Sequence, residues 1–257
     1  MRTGDESSMN DRPRRGRADA VAAVSSLGEP TRRALYEFVV TSAGWVSRDR
    51  AAAAVGIERG TAAHHLDRLA VDGLLDVDYQ RLSGRQGPGA GRPAKLYRRA
   101  RHDIDVSLPH RDYGLAGQVL AEAADRSRHD GTDIQTALDD AARAAGRGLA
   151  DEVRARLTDG GSAPAGQRVD GVLRAVLDSL AEHGFEPIAR DDGTVVLRNC
   201  PFHRLAREHT ELVCGMNHSM LGAALDVLDG ADLAARLEPE EGVCCVRLHP
   251  VARPTVL

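Results

Sequence analysis

Apolar residues return at helical intervals along most of the chain, and short alternating runs interrupt them in a few places. Ala18 to Ala43 reads as two helices separated by Gly28-Glu29-Pro30, with Pro30 suited to the first turn of the second. Leu35, Phe38 and Val39 share one face of that second helix. Ser47 is a natural N-cap for a short alanine-rich helix, Arg48 to Val55, and Gly56-Ile57 makes a tight turn. A further helix is expected from about Glu58 to Asp72, stopped by Gly73. Its residues Ala62, Leu66, Leu69 and Ala70 share an apolar face, while Thr61, His64, His65 and Arg68 occupy the opposite one and Arg59 sits in the first turn. Two short helices joined by a glycine-containing turn form a helix-turn-helix pattern.

Leu74 to Tyr79 and Leu96 to Arg98 read as strands. Between them Ser83 to Pro93 is rich in glycine, so the pair is expected to be a hairpin with a long tip, a wing. Leu115, Val119 and Leu120 mark the next helix, and Ile134, Leu138, Ala141, Ala145, Leu149 and Val153 another. Asp159 to Gln167 has linker composition. Val169, Val172, Leu173, Val176, Leu177 and Leu180 then define a strongly amphipathic helix ended by Gly184. Phe185 to Arg190 and Thr194 to Asn199 flank the turn Asp192-Gly193, two helices follow around 201–209 and 211–229, and Val243 to Leu248 is the last expected strand. The expected fold is mainly α with small β elements. A disordered basic arm (1–17) precedes a winged helix-turn-helix (18–101), a central helical dimerisation region (102–166) and a C-terminal α+β sensor domain (167–257).

With 42% apolar and 28% charged residues among 257, the composition is that of a globular protein. No stretch approaches the ~20 continuous apolar residues of a membrane span. Met1 to Arg17 lacks the apolar centre of a secretory signal, so a reducing cytoplasmic setting is expected. The net charge of −4 conceals a division: Met1 to Arg101 holds 18 bases and 12 acids, net +6, and the remainder holds 16 bases and 26 acids, net −10. Arg81 to Arg101 contains seven bases and no acid. One lysine against 33 arginines, in a chain rich in alanine and glycine, reads as coding bias rather than function. A basic front half with a helix-turn-helix pattern points to double-stranded DNA. The candidate contacts are Arg59, Thr61, His64, His65 and Arg68 on the helix, with Arg81, Arg85, Arg92 and Lys95 of the hairpin on phosphates or in the minor groove. Because one such module reads only a few base pairs, a homodimer on a two-fold operator is expected, with no membrane partner.

All four cysteines lie near the end: Cys200, Cys214, Cys244 and Cys245. The spacing is not the paired C-x-x-C of a zinc ribbon, and His203, His209 and His218 are interleaved, with His203 close enough to Cys200 to share a centre. Dispersed thiolates gathered by a fold suit an iron–sulfur cluster, with zinc as the alternative. Adjacent residues of a strand face opposite ways, so three principal thiolates and one spare are expected. The chain contains no nucleophile elbow, P-loop, dinucleotide fingerprint or H-E-x-x-H motif, and no enzymatic activity is expected.

Gly91-Arg92-Pro93-Ala94-Lys95-Leu96-Tyr97, Asn199-Cys200-Pro201-Phe202-His203, Leu212-Val213-Cys214-Gly215-Met216-Asn217 and Cys244-Cys245-Val246 together resemble one bacterial family. It is the ArsR-like winged-helix regulator family that includes the Suf-operon iron–sulfur repressor, and the resemblance runs from Val21 to Leu248. It implies a dimeric repressor carrying a cluster, [4Fe–4S] in preference to [2Fe–2S], on three cysteines. Cys200 and Cys214 match the first two positions, and the third falls on Cys244 or Cys245.

Overall fold

The computed structural model describes residues 17–81, 93–159 and 165–251, and the chain divides between Val106 and Ser107 into two compact units. The expected basic arm and the tip of the hairpin lie outside the described residues.

The first unit opens with α1 (Arg17–Ser26) and α2 (Pro30–Thr41). Glu29 caps α2: its carboxylate accepts from the backbone N–H of Thr31 at 3.0 Å and of Arg32 at 2.6 Å, and Pro30 occupies the first turn, where no N–H is needed. A two-residue strand β1 (Val46–Ser47) leads into α3 (Arg48–Val55), with the Ser47 hydroxyl accepting from Arg50 N–H at 3.2 Å. Gly56 ends α3 at φ 74°, a left-handed conformation that glycine adopts without steric penalty, and α4 (Arg59–Val71) begins three residues later. Strands β2 (Leu75–Gln80) and β3 (Ala94–Arg99) pair antiparallel from Leu75↔Arg99 to Gln80↔Ala94. β1 adds to the far side of β3 through Val46↔Tyr97, giving the order β1-β3-β2. Leu35, Val39, Val46, Ala62, Leu66, Leu69 and Tyr97 are almost fully buried in one core.

The second unit begins with α5 (Tyr113–Asp130), α6 (Ile134–Asp159) and α7 (Ala165–Glu182). Asp133 caps α6 by accepting from Gln135 and Thr136 N–H groups. Strands β4 (Pro187–Ala189) and β5 (Val195–Leu197), helices α8 (His203–Glu208) and α9 (Thr210–Asp226), and strands β6 (Leu233–Leu237) and β7 (Val246–Pro250) complete it. The antiparallel sheet has the order β4-β5-β7-β6. α5 and α6 do not form a region apart, as the expected boundary at residue 166 would have it. Their Val119, Ala123, Leu138, Ala142 and Leu149 share one core with Val213, Met216, Met220, Val246 and Leu248 of the cysteine-bearing part. α6 and α9 meet closely at Gly146, where a Cβ would collide with the Met220 carbonyl oxygen and lie 3.1 Å from the Ala224 nitrogen.

β6 is absent from the pattern reading. Leu-Ala-Ala-Arg-Leu is composed of good helix formers, but pairing with β7 from Leu233↔Pro250 to Leu237↔Val246 makes it a strand. The last strand also begins at Val246 rather than Val243, so Cys244 and Cys245 precede it. Among the described residues no helix is long and apolar enough to cross a membrane.

His183, just past α7, joins three elements. Its Nε2 lies 3.0 Å from a Glu152 oxygen on α6 and its Nδ1 3.8 Å from Asp112, which precedes α5. Burial by itself would lower its pKa. The bonds to Asp112 and Glu152 outweigh that and hold the imidazolium up to about 9.

Two measurements check this packing. Gly146→Ala lowers the stability of the second unit by about 1–3 kcal/mol in urea unfolding, because a backbone collision exceeds the roughly 1 kcal/mol gained in helix propensity. Gly148→Ala, where a Cβ meets nothing within 4 Å, leaves stability unchanged or slightly raised. The raised His183 pKa adds stability that is complete below 6.5 and lost as pH rises through about 9. The unfolding free energy from urea titration therefore falls across that window by up to about 3 kcal/mol, and His183→Gln flattens the dependence.

Candidate nucleic-acid interface and cysteine site

In the first unit the Gly56-Ile57-Glu58 turn sets α4 against α2 and α3 with its apolar side inward. Arg59, Thr61, His64 and Arg68 are exposed. Arg59 forms an ion pair with Asp49 near the start of α3, and both side chains are about two-thirds exposed. Arg68 pairs with Asp72 one turn on, at 3.0 Å. His65 departs from the open face assigned to it: its Nδ1 lies 3.6 Å from a Glu29 carboxylate oxygen and takes the Arg32 Nε–H at 3.5 Å, so it is turned back toward α2. The reason is angular, since adjacent helical residues point ~100° apart and His64 holds the outer position.

Asp67, on the flank of α4, is a residue the pattern reading missed. It accepts from Lys95 Nζ at 2.6 Å, from the Tyr97 hydroxyl at 2.6 Å and from Arg48 at 3.0 Å, and Arg48 Nε also donates to the Tyr97 oxygen at 2.9 Å. One carboxylate thus ties α4 to α3 and β3. Burial alone would raise its pKa, but the hydrogen bonds from Lys95 and Tyr97 and the Arg48 charge hold it below the usual range. Lys95, expected at phosphate, is therefore spent inside the unit. Arg98 is similarly engaged, 3.3 Å from Asp76 and stacked on Trp45 with 4.4 Å between guanidinium and ring. Lys95 and Arg98 of the acid-free stretch thus meet acids from other elements of the first unit. Arg81 is exposed, and Arg85 and Arg92 lie outside the described residues. A carboxylate on a helix beside basic residues was the available signal for Asp67, but its three partners are separated from it in sequence.

In the second unit three chain segments carry the thiols. Cys200 follows β5, Cys214 lies in the second turn of α9, and Cys244-Cys245 leads into β7. Asn199 fixes the first segment: its amide donates to the carbonyls of Gly184 at 2.5 Å and His110 at 2.9 Å, and Arg111 bonds both the Asn199 oxygen and, at 2.8 Å, the Cys200 carbonyl. Phe202 is fully buried, edge-on to Phe185 with centroids 6.2 Å apart. The third segment is stitched on both sides, Cys244 N–H to the Leu197 carbonyl and Glu238 N–H to the Cys245 carbonyl.

The thiols are neighbours: Cys200 interacts with Cys244, Cys244 with Cys245, and Cys245 with Cys214. Cys200, Cys214 and Cys244 are buried, Cys245 is partly exposed, and none is in a disulfide. Strand alternation does not separate Cys244 from Cys245, because the chain bends there before the regular ladder starts. The bond with Cys244 and burial push the Cys200 thiol far up. Cys244 is eased down by Cys200 but raised further by Cys245 and by burial, to about 12. Burial raises Cys214. Cys200, Cys214 and Cys244 are therefore held neutral near pH 7. His203 and His209 are exposed, and His218 donates to the Ala235 carbonyl at 3.2 Å. Among the described residues no three His, Cys, Asp or Glu side chains form a ready-made metal-binding group. The thiols are neighbours in a chain of contacts rather than a preset coordination shell.

Compared with family models, curated proteins and solved structures, the chain matches none.

Asp67→Asn keeps the shape and removes the charge that Arg48 and Lys95 share. It lowers the stability of the first unit by about 1–2 kcal/mol at neutral pH, allowing for partial exposure. The depressed pKa adds stability that is present above 3.8 and lost as pH falls through the lower folded value. Acid titration of the first unit's unfolding is accordingly shallower in Asp67→Asn than in the parent protein.

Proposed function

We propose that this chain is a homodimeric DNA-binding transcriptional regulator, a repressor. Its first unit is a winged helix-turn-helix, and its second senses redox or iron–sulfur status through Cys200, Cys214, Cys244 and Cys245. The observation that carries the reading is α4: the second helix of a tight pair, buried on one side and lined with exposed Arg59, Thr61, His64 and Arg68 on the other. In this reading α4 enters the major groove, with Arg59 and Thr61 nearest the bases. Arg81, Arg85 and Arg92 take phosphate or minor-groove positions. The ion pairs of Arg59 and Arg68 do not oppose this, since exposed pairs contribute only ~0–1 kcal/mol and exchange readily for a phosphate. His65 and Lys95 support the helix and the hairpin instead of touching DNA. The protein is not an enzyme and works in the cytoplasm.

The sensor half draws on the donor set. Four thiols from three distant segments are neighbours, and soft sulfur donors suit an iron–sulfur centre, [4Fe–4S] in preference to [2Fe–2S]. Cys200, Cys214 and one or both of Cys244 and Cys245 would hold it, and when bound it supplies an oxidant-sensitive one-electron centre. A binding-linked change of ~1–3 kcal/mol in operator affinity is sufficient for regulation. A second reading is a regulator responsive to zinc or a small molecule with structural cysteines. It is favoured by the seating of Cys200 and Cys244 within the apolar core.

Anaerobic reconstitution followed by a visible spectrum and iron and sulfide analysis separates the two. The first reading expects broad absorbance near ~400 nm with stoichiometric iron and sulfide; a colourless protein supports the second. For DNA, duplexes selected from random sequence are titrated at several salt concentrations. Arg59→Ala weakens the selected site by ~1–3 kcal/mol and Arg85→Ala flattens the salt slope. Failure to select any duplex overturns the DNA-binding reading.

A further inference from the structure

Asn217 is 1% exposed, on α9 one turn beyond Cys214. Its Nδ2 donates to the Cys244 sulfur at 3.3 Å, and its Oδ1 has no hydrogen-bond partner. Orphaned buried acceptors are costly and uncommon, and the surrounding core of Val213, Met216, Met220 and Leu221 would accept an apolar side chain of the same volume. The amide therefore has one contact that accounts for it, the sulfur.

That contact distinguishes the two members of the Cys244-Cys245 pair. Cys244 is 1% exposed, held through its N–H to β5, bonded to Asn217 and a neighbour of Cys200. Cys245 is partly exposed, its carbonyl is held from the β6 side, and its thiol meets Cys214 and Cys244. We infer that Asn217 is a positioning residue of the sulfur site: its amide N–H holds the Cys244 sulfur beside Cys200, making Cys244 the fixed member of the pair and leaving Cys245 the exchangeable one. An N–H aimed at sulfur favours negative charge there, which is how hydrogen bonds to a ligating cysteine raise the potential of an iron–sulfur centre. The inference names the third fixed thiol of the site in the proposed function and rests on that reading for its consequence at a cluster. The thiol geometry itself needs no cluster.

The test uses the full-length, metal-free protein alkylated with iodoacetamide under native conditions. Fragmentation of the labelled peptide between residues 244 and 245 reports each thiol separately. Cys245 is modified before Cys244 in the parent protein, and Asn217→Leu, which releases the Cys244 sulfur from its fixed position, narrows that order while retaining the circular dichroism spectrum. Cys244 reacting first in the parent, or an unchanged order in the folded variant, overturns the inference; the parent measurement stands even if the variant fails to fold. On reconstituted protein, Asn217→Leu lowers the midpoint potential and shortens cluster lifetime about tenfold. An unaltered potential and lifetime overturn it equally. A parent protein that takes up no cluster defeats the cluster reading, while the alkylation order still decides the role of Asn217.

Discussion

The backbone of α9 lies directly on α6, and the missing side chain of Gly146 is what permits it. Met220 and Ala224 of α9 occupy the space a Cβ would need. The α9 side of the cysteine site depends on that seat. α9 carries Cys214 and Asn217 toward the ends of β5 and β7, where the other two cysteine segments arrive. Dispersion and burial provide the attraction between helices, but the close approach sets the depth at which α9 rests. The thiols meet because three separately anchored segments converge: one fixed by Asn199 and Phe202, one by the α6 contact and one by backbone bonds to β5 and to Glu238.

The first unit is organised by charge at one point. Asp67 collects two cations and a phenol, and without it the flank of α4 facing β3 would hold Arg48 and Lys95 side by side with no carboxylate. Such partly buried pairs contribute modestly to net stability and strongly to geometry, because removing one partner leaves the other unmatched. The fold thus sorts its bases into two groups. Lys95, Arg48 and Arg98 are partly buried on carboxylates and support the hairpin against the helices, whereas Arg59 and Arg68, though paired with Asp49 and Asp72, and Arg81 stay exposed at the surface.

The cysteine site has the opposite character, with weakly polar groups in an apolar setting. Burial and mutual contact favour the neutral forms of Cys200, Cys214 and Cys244, so any metal or cluster must displace protons from them as it binds. Cys245, nearest to solvent, gives the group an opening that the other three lack.

Local chemistry in the sequence was enough to locate most elements. Glu29, Ser47, Gly56, Gly73 and Gly184 mark helix ends through caps and left-handed turns, and Leu66, Leu69, Val172 and Val176 mark buried faces through helical spacing. These are effects of neighbours within one or two turns, which a single sequence displays. Pairing and convergence are different. β1 exists because Val46 meets Tyr97, and β6 because Leu233 to Leu237 meets β7 against its own helical preference. His65 turns inward and Lys95 is neutralised because their partners, Glu29 and Asp67, lie on other elements. The four thiols become neighbours only when β5, α9 and the lead-in to β7 pack together. No periodicity encodes contacts across such sequence distances, so the composition of the candidate site was readable from the chain while its geometry was decided by the tertiary fold.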